Sequence, residues 1–480
     1  MDGITPPGLE AMLEDIKQAA GVITGEFIRL NLQLDKASIN QNLLAERTKA
    51  MKVEDRAIPG PPRPIDEVTR EAIEIFSLRI PLNHPRNFAG IPSVPSPVSW
   101  LGDMLVSTFN TFNGTWRNSP AASTIEVALI AWLASRAGMP PSAGGLFVSG
   151  GSMANLIGMM VGRDRKLAPQ NRSCGIVYVS SQVHSSISKG LRILGFLDSH
   201  INTIEVGSDF SMDVSLLSEK ILADRRAGLV PFMVIATIGT TNTGSIDPLD
   251  VIADIAQAEG LWMHVDGAYG ASVVLSKSHR HLTEGLSRAD SLSWDCHKWL
   301  FQTFACSLVI VKNKQDLPLS FANDPSYAGY LTDSMTDQPN FFDLGVELTR
   351  PARAMKLWYT LQVLGVNAVG DMIDHGFTLS EALAMELSAM PYWEVTSGPA
   401  MAIVTFRYVQ QDKSTEELNQ LNRQISQQCW KDEVACALTT HLAGKTVLRI
   451  VSINPALTTE GIRKVIRDIN IVVQRLLKSF

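Results

Sequence analysis

Between residues 145 and 311 the chain alternates short apolar runs with stretches of helical spacing, and this limits the folds open to it more than any other feature. Apolar strands are expected at 145–149, 176–179, 201–206, 232–238, 261–265 and 307–311, with helical stretches such as 213–226 and 248–259 between them. Parallel strands joined by crossover helices follow, in an α/β fold built on a doubly wound, mainly parallel sheet. Ligands of such sheets sit beyond the carboxyl ends of the strands, so the segments just after each strand are where chemistry is expected.

Three of those segments carry suitable residues. Gly145-Leu146-Phe147-Val148-Ser149 runs through Gly150-Gly151-Ser152 into an apolar stretch from Met153 to Val161. A strand, a glycine turn and a helix N-terminus in that order hold a phosphate with backbone N–H groups and the helix dipole. The strand Leu261-Trp262-Met263-His264-Val265 ends in Asp266 and the small-residue turn Gly267-Ala268, which points Asp266 into the same region. Ser293-Trp294-Asp295-Cys296-His297-Lys298-Trp299-Leu300 sets a lysine between a histidine and large apolar side chains. Desolvation favours the neutral amine, the form that attacks a carbonyl, so Lys298 is the candidate for covalent attachment. A phosphate cradle, an acid at a strand end and such a lysine are together what pyridoxal 5'-phosphate requires: an anchor, a partner for the pyridinium, and an amine for the aldehyde.

These residues also resemble a known family. Ser149-Gly150-Gly151-Ser152-Met153-Ala154-Asn155-Leu156, His264-Val265-Asp266-Gly267-Ala268 and His297-Lys298-Trp299 make the chain similar to the group II pyridoxal-phosphate-dependent amino acid decarboxylases, the family of the aromatic-L-amino-acid and glutamate decarboxylases. The likeness runs from about Asn83-His84-Pro85-Arg86 to Trp358. It implies the aspartate-aminotransferase-like fold (fold type I), with a large domain, a smaller C-terminal α/β domain and an N-terminal helical arm laid across a partner subunit. The sites would lie at the interface of a homodimer. By the same resemblance Asp266 holds the pyridinium proton, His184 stacks on one face of the ring and Ala268 lies under the other. Thr241 stands near the polar ring substituents. Gly151 and Ser152 form the phosphate turn, with Asp295 and His297 near the same end. Tyr327, 29 residues after Lys298, matches the family's catalytic loop tyrosine, which delivers a proton to the substrate's Cα. Asp295 stands where many relatives carry Asn, and an acid beside a phosphate is unfavourable unless bridged or protonated.

The remaining chain frames this core. Residues 1–75 are expected to form the helical arm and a linker, with two helices meeting near residue 22; 76–373 form the large domain and 374–480 the small one. Ser123-Thr124-Ile125-Glu126 has the pattern of a capping box opening a helix. Residues 313–346 have weak periodicity and many turn formers, as a lid or binding loop would. Strands at 402–408 and 447–453 and helices at 415–430 and 458–477 are expected in the small domain. A net charge of −6 offers no general attraction to nucleic acid or to an anionic membrane. The longest uncharged run, 227–246, is broken by Pro231 and Asn242 and reads as a buried strand with a loop. Five cysteines without Cys-x-x-Cys spacing, and an N-terminus without a signal pattern, suit reduced thiols in a cytoplasmic protein. His279, His281 and Glu284 lack a fourth ligand for a metal, so none is expected.

An aminotransferase would use the same lysine and aspartate, but His184 and Tyr327 favour decarboxylation. An oxygen-dependent aldehyde synthase would lose one of those two residues, and a binding protein would not need them all. An aromatic L-amino acid is the first expectation for the substrate, ahead of a basic and then an acidic one. Glu347 is the candidate group for a basic side chain, with pairing to Arg350 as its structural alternative, and Arg117 is the candidate for an acidic side chain. Gly90 and Ile91 stand where aromatic amino acid decarboxylases carry bulky rings, which leaves room for a larger side chain or shapes the pocket differently. Arg350 and Arg353 are read as structural.

Overall fold

The computed structural model describes residues 9–57, 60–91, 94–322 and 338–478. Its larger sheet has seven strands: β1 (Gly144–Val148), β2 (Gly175–Ser180), β3 (Ile201–Ile204), β4 (Val230–Thr237), β5 (Trp262–Asp266), β6 (Ser291–Trp294) and β7 (Ser307–Val311). Their order is β1-β7-β6-β5-β4-β2-β3. The strands from β6 to β3 pair in parallel, and β2, β5, β6 and β7 are buried along their whole length, as strands covered by helices on both faces are. Strand β6 was not anticipated, and β7 corrects the expectation of parallel strands, since it runs antiparallel to both β6 and β1. Only residues 295–306, with no helix among them, connect β6 to β7, so the chain turns back beside itself. That return loop contains Asp295, His297 and Lys298.

Two apolar layers sandwich the sheet. The Gly151–Lys166 helix packs over β5, β6 and β7, while Leu292, Trp294, Trp299 and Phe301 fill the opposite side. The Pro120–Arg136 helix begins at its proline, three residues before the supposed capping box. Proline's fixed φ and absent N–H suit the first helical position, which overrides the Ser123–Glu126 pattern. Glu126 instead points inward, where it accepts the Phe147 N–H at 2.8 Å and pairs with fully buried Arg350 at 2.6 Å.

The second sheet is antiparallel, in the order β10 (Leu438–Leu442), β11 (Lys445–Val451), β9 (Ile403–Tyr408), β8 (Trp393–Ala400). The Val366–Ser388, Thr415–Lys431 and Thr459–Lys478 helices cover one face through Leu383, Ile425, Ile466 and Ile469. The sequence reading found β9 and β11 but passed over the outer strands: β8 contains Gly398-Pro399, and β10 is mostly exposed. At the N-terminus one continuous helix, Leu9–Leu32, replaces the two expected. It lies along the Ile65–Ser77 helix, with Phe27 stacked 3.9 Å from Trp100. No described helix is long and apolar enough to cross a membrane, and no described group of His, Cys, Asp and Glu is arranged to hold a metal.

Candidate active site

A cavity of about 440 Å3 opens at the carboxyl ends of the parallel strands, and its walls bring together residues from six separate segments. The turn after β1 supplies Gly150, Gly151 and Ser152. His184 follows β2, Thr241 follows β4, Asp266 and Ala268 close β5, and the return loop after β6 adds Asp295, His297 and Lys298. Every residue expected at a catalytic or cofactor position lies here except Tyr327, which is outside the described residues; the two substrate-side candidates, Glu347 and Arg117, do not line the cavity. Gly90 and Ile91 complete one wall, on a segment tied to the smaller sheet by the Phe88 N–H to Cys436 C=O bond at 3.0 Å.

Asp266 is held from three sides. Ser293 Oγ donates to its Oδ1 at 3.3 Å and the Ala268 N–H to the same oxygen at 3.1 Å, while Asn155 Nδ2 donates to Oδ2 at 3.1 Å. All three partners are donors, an environment that suits an ionised carboxylate. Asn155 lies on the second turn of the Gly151–Lys166 helix and is buried, and its second amide hydrogen reaches Ser186 Oγ at 3.1 Å. With both hydrogens donated, its Oδ1 must accept, so His264 Nε2, at 2.9 Å, carries a proton. His264 Nδ1 then accepts from Ser291 Oγ at 2.8 Å, and Ser291 Oγ in turn accepts the Trp262 indole N–H at 2.8 Å. Burial pushes the His264 pKa down to about 4, with the nearby Asp266 charge opposing, so His264 is neutral and has this one tautomer. Gly158 makes room for it, because a β-carbon there would stand 2.7 Å from the imidazole ring.

At the other end of the same chain, Ser186 Oγ lies 2.9 Å from His184 Nδ1, which also accepts the Ser186 backbone N–H at 3.2 Å. One run of hydrogen bonds therefore links Asp266 to His184 through Asn155 and Ser186. The sequence reading quoted Asn155 without assigning it a role and read His264 only as part of an apolar strand. An uncharged polar side chain amid the buried positions of a helix, and a histidine alternating with apolar residues on a central strand, were the available signals.

The lysine's surroundings differ from expectation. Trp299 turns away and stacks on Tyr269 at 4.7 Å, so the apolar flank does not enclose the amine. Lys298 Nζ instead lies 3.3 Å from Asp295 Oδ2, with its side chain 23% exposed, and His297 Nε2 approaches the same oxygen at 3.5 Å. Burial lowers the His297 pKa, and its Nδ1 meets Ser307 Oγ at 3.2 Å. Thr241 lines the cavity while its carbonyl accepts from Arg449 of β11 at 2.7 Å, which ties the turn to the smaller sheet. Glu347 is committed to Arg353, at 2.6 and 3.0 Å, and not to Arg350. Arg117 is exposed and does not line the cavity.

Pyridoxal 5'-phosphate fits these groups. Thr237 and Asp295 both line the cavity, and each has a buried oxygen without a hydrogen-bond partner among the described residues. Glycine at 151 lets the Asp295 carboxylate come up against the turn, since a β-carbon there would stand 2.7 Å from Asp295 Oδ2. The class this arrangement defines is the pyridoxal-phosphate-dependent enzyme of doubly wound fold. Comparison with known proteins narrows it: a model of the pyridoxal-dependent decarboxylase conserved domain matches residues 48–409, and the chain belongs to that family. It is 38% identical over 407 residues to an aromatic-L-amino-acid decarboxylase of Bacillus atrophaeus, covering 85% of each chain. It is 30% identical over 413 residues to an L-2,4-diaminobutyrate decarboxylase of Rhizobium meliloti (strain 1021), covering 85% of this chain and 81% of that one. Among solved structures, Oryza sativa TDC with PLP and tryptamine superposes with a TM-score of 0.89 at 26% identity, over 99% of this chain and 100% of that one. The protein is accordingly a pyridoxal-phosphate-dependent amino acid decarboxylase.

Proposed function

We propose that the protein decarboxylates an aromatic L-amino acid to its amine and carbon dioxide, as a cytoplasmic homodimer. One observation carries the substrate class. Every Asp, Lys and His side chain lining the cavity, namely His184, Asp266, Asp295, His297 and Lys298, is assigned to a cofactor position, and no Glu or Arg lines it, so among the described residues none is left for a charged substrate tail. Glu347, the candidate for a basic tail, already has its arginine, and Arg117, the candidate for an acidic one, does not line the cavity. The likeness to the Bacillus atrophaeus enzyme supports the same choice.

The cofactor, when bound, supplies a protonated pyridine ring that draws electrons from the bond to the departing carboxyl group. The protein's part is to hold and orient. Lys298 would supply the amine for the cofactor's aldehyde, Asp266 would keep the proton on the ring nitrogen, and Gly151 and Ser152 would present backbone donors to the phosphate. His184, held by Ser186, and the small side chain of Ala268 would bound the ring, with Thr241 near its polar substituents. Tyr327 would return a proton to the substrate's Cα.

The homodimer is supported by an apolar surface. Leu32 on the Leu9–Leu32 helix, Phe76 on Ile65–Ser77 and Phe109 on Pro97–Phe109 are 79%, 73% and 74% exposed; the first two helices pack together, and the third meets the first through the Phe27–Trp100 stack. The cytoplasmic assignment rests on five unpaired cysteines. Specificity constants for tryptophan, tyrosine, DOPA, 2,4-diaminobutyrate, aspartate and glutamate test the substrate, with carbon dioxide, amine and oxygen uptake read together. An aromatic preference unchanged in Glu347→Gln is expected; a diaminobutyrate preference that collapses in that variant would overturn it. Tyr327→Phe should divert product toward aldehyde with oxygen uptake, and an unchanged amine yield would remove Tyr327 from the mechanism.

A further inference from the structure

Asp295 sits where an acid is least expected. Its carboxylate lies against Gly151, the first residue of the Gly151–Lys166 helix, at the end of the cavity where backbone donors are best placed to receive a phosphate. The residue is 3% exposed, Oδ1 has no hydrogen-bond partner among the described residues, and Oδ2 is shared by Lys298 and His297 at 3.3 and 3.5 Å. Lys298 is thus the ammonium paired with it, and that amine would turn to the cofactor's aldehyde once the cofactor binds. His297 cannot take over the whole burden, because burial disfavours its cationic form. The other titratable groups nearby are Cys296, buried and with its thiol pushed up, and Lys356, which acts on His297 from the Ala354–Leu364 helix.

We propose that Asp295 is a cofactor-affinity determinant that takes up a proton when the cofactor's phosphate binds. An ionised carboxylate buried against a phosphate repels it, whereas a protonated one donates a hydrogen bond to a phosphate oxygen through the very oxygen that now lacks a partner. The inference rests on the pyridoxal-phosphate reading of the site and adds a proton to its binding equilibrium. Binding coupled to one proton weakens up to tenfold per pH unit on the alkaline side.

The test is equilibrium titration of the full-length protein, freed of cofactor, with pyridoxal 5'-phosphate and with pyridoxal, between pH 7 and 9. Above pH 7 the phosphate ester, whose second pKa is about 6, no longer changes charge. Wild type should lose affinity for the phosphorylated ligand, relative to pyridoxal, as pH rises. Asp295→Asn should flatten that relative loss and bind the phosphorylated ligand several-fold more tightly at pH 8.5, with pyridoxal binding unchanged. Equal or weaker binding by the variant at every pH, or an equal gain for pyridoxal, would overturn the proposal, the latter by placing the effect on Lys298. Should Asp295→Asn fail to fold, calorimetry of wild type at pH 8 in two buffers of different ionisation enthalpy decides: about one more proton taken up with the phosphorylated ligand than with pyridoxal is expected, and no difference refutes it. A wild type that binds neither ligand would fail the cofactor reading itself, a distinct result.

Discussion

Asn155 spends both amide hydrogens on Asp266 and Ser186 and its oxygen on His264, so a change at any of the three is felt at the others. Replacing Asp266 with Asn removes the charge at nearly constant volume. We expect a loss in the chemical step of about 2–5 kcal/mol, by analogy with breaking a buried charge pair, read as a fall in kcat in single-turnover measurements with cofactor still bound. His264 gives a second, indirect handle. Its folded-state pKa of about 4 lies below the ordinary 6.5, so between those values the unfolded chain binds more protons and stability falls as pH falls. Asp247 acts in the opposite sense. Burial raises its carboxyl pKa to about 6, so from there down to about pH 4 the folded chain binds more protons and stability rises as pH falls. His264→Phe removes the histidine's contribution and leaves that of Asp247 in place, so denaturant unfolding between pH 4 and 6 should show a slope differing from wild type by up to about 1.4 kcal/mol per pH unit. Parallel profiles would mean that His264 is not held neutral by its surroundings.

At the scale of elements, the site depends on two hidden supports. The Glu126–Arg350 pair fastens the Pro120–Arg136 helix to the end of β1 through the Phe147 backbone, just before the Gly151 turn. Glu126→Gln leaves the Arg350 charge buried and unpaired, which costs about 3–5 kcal/mol and should lower the thermal midpoint by several degrees. A loss within 1 kcal/mol would show that the pair contributes little to this junction. The sequence marked Arg350 as structural but hid its partner, because Ser123-Thr124-Ile125-Glu126 satisfies a local capping rule and Glu126 lies 224 residues from Arg350. The motif residues were legible for the opposite reason: glycine turn, strand-end acid and lysine each carry local chemistry, and strand alternation alone suffices to bring them to one sheet edge. Edge strands β8 and β10 were illegible because a strand half-open to solvent keeps no continuous apolar run. His264 and Asn155 were hidden for a related reason, since burial and apolar neighbours are all that a sequence window reports of them.

At the scale of the whole molecule, the N-terminal helices expose Leu32 and Phe76, and the proposed homodimer would cover them. Phe76→Asp combined with Leu32→Asp should shift sedimentation velocity toward the monomer and raise the protein concentration needed for full activity. An unchanged dimer would place the interface elsewhere. Helix Thr459–Lys478, by contrast, was readable to within a residue at each end, because Ile462, Val465, Ile466, Ile469, Val472 and Val473 keep strict helical spacing. The pairing of β1 with β7 has a consequence in time. Gly144–Val148 meets Ser307–Val311 across nearly the whole span of the sheet in sequence, so the Gly151 turn and the loop that carries Lys298 approach each other only when these distant strands join. Closing so long a loop is entropically slow, and a ribosome must release the chain well past Val311 before the two can meet. Cofactor should therefore capture a nearly finished molecule and leave early refolding rates untouched, accelerating nothing until the sheet has closed.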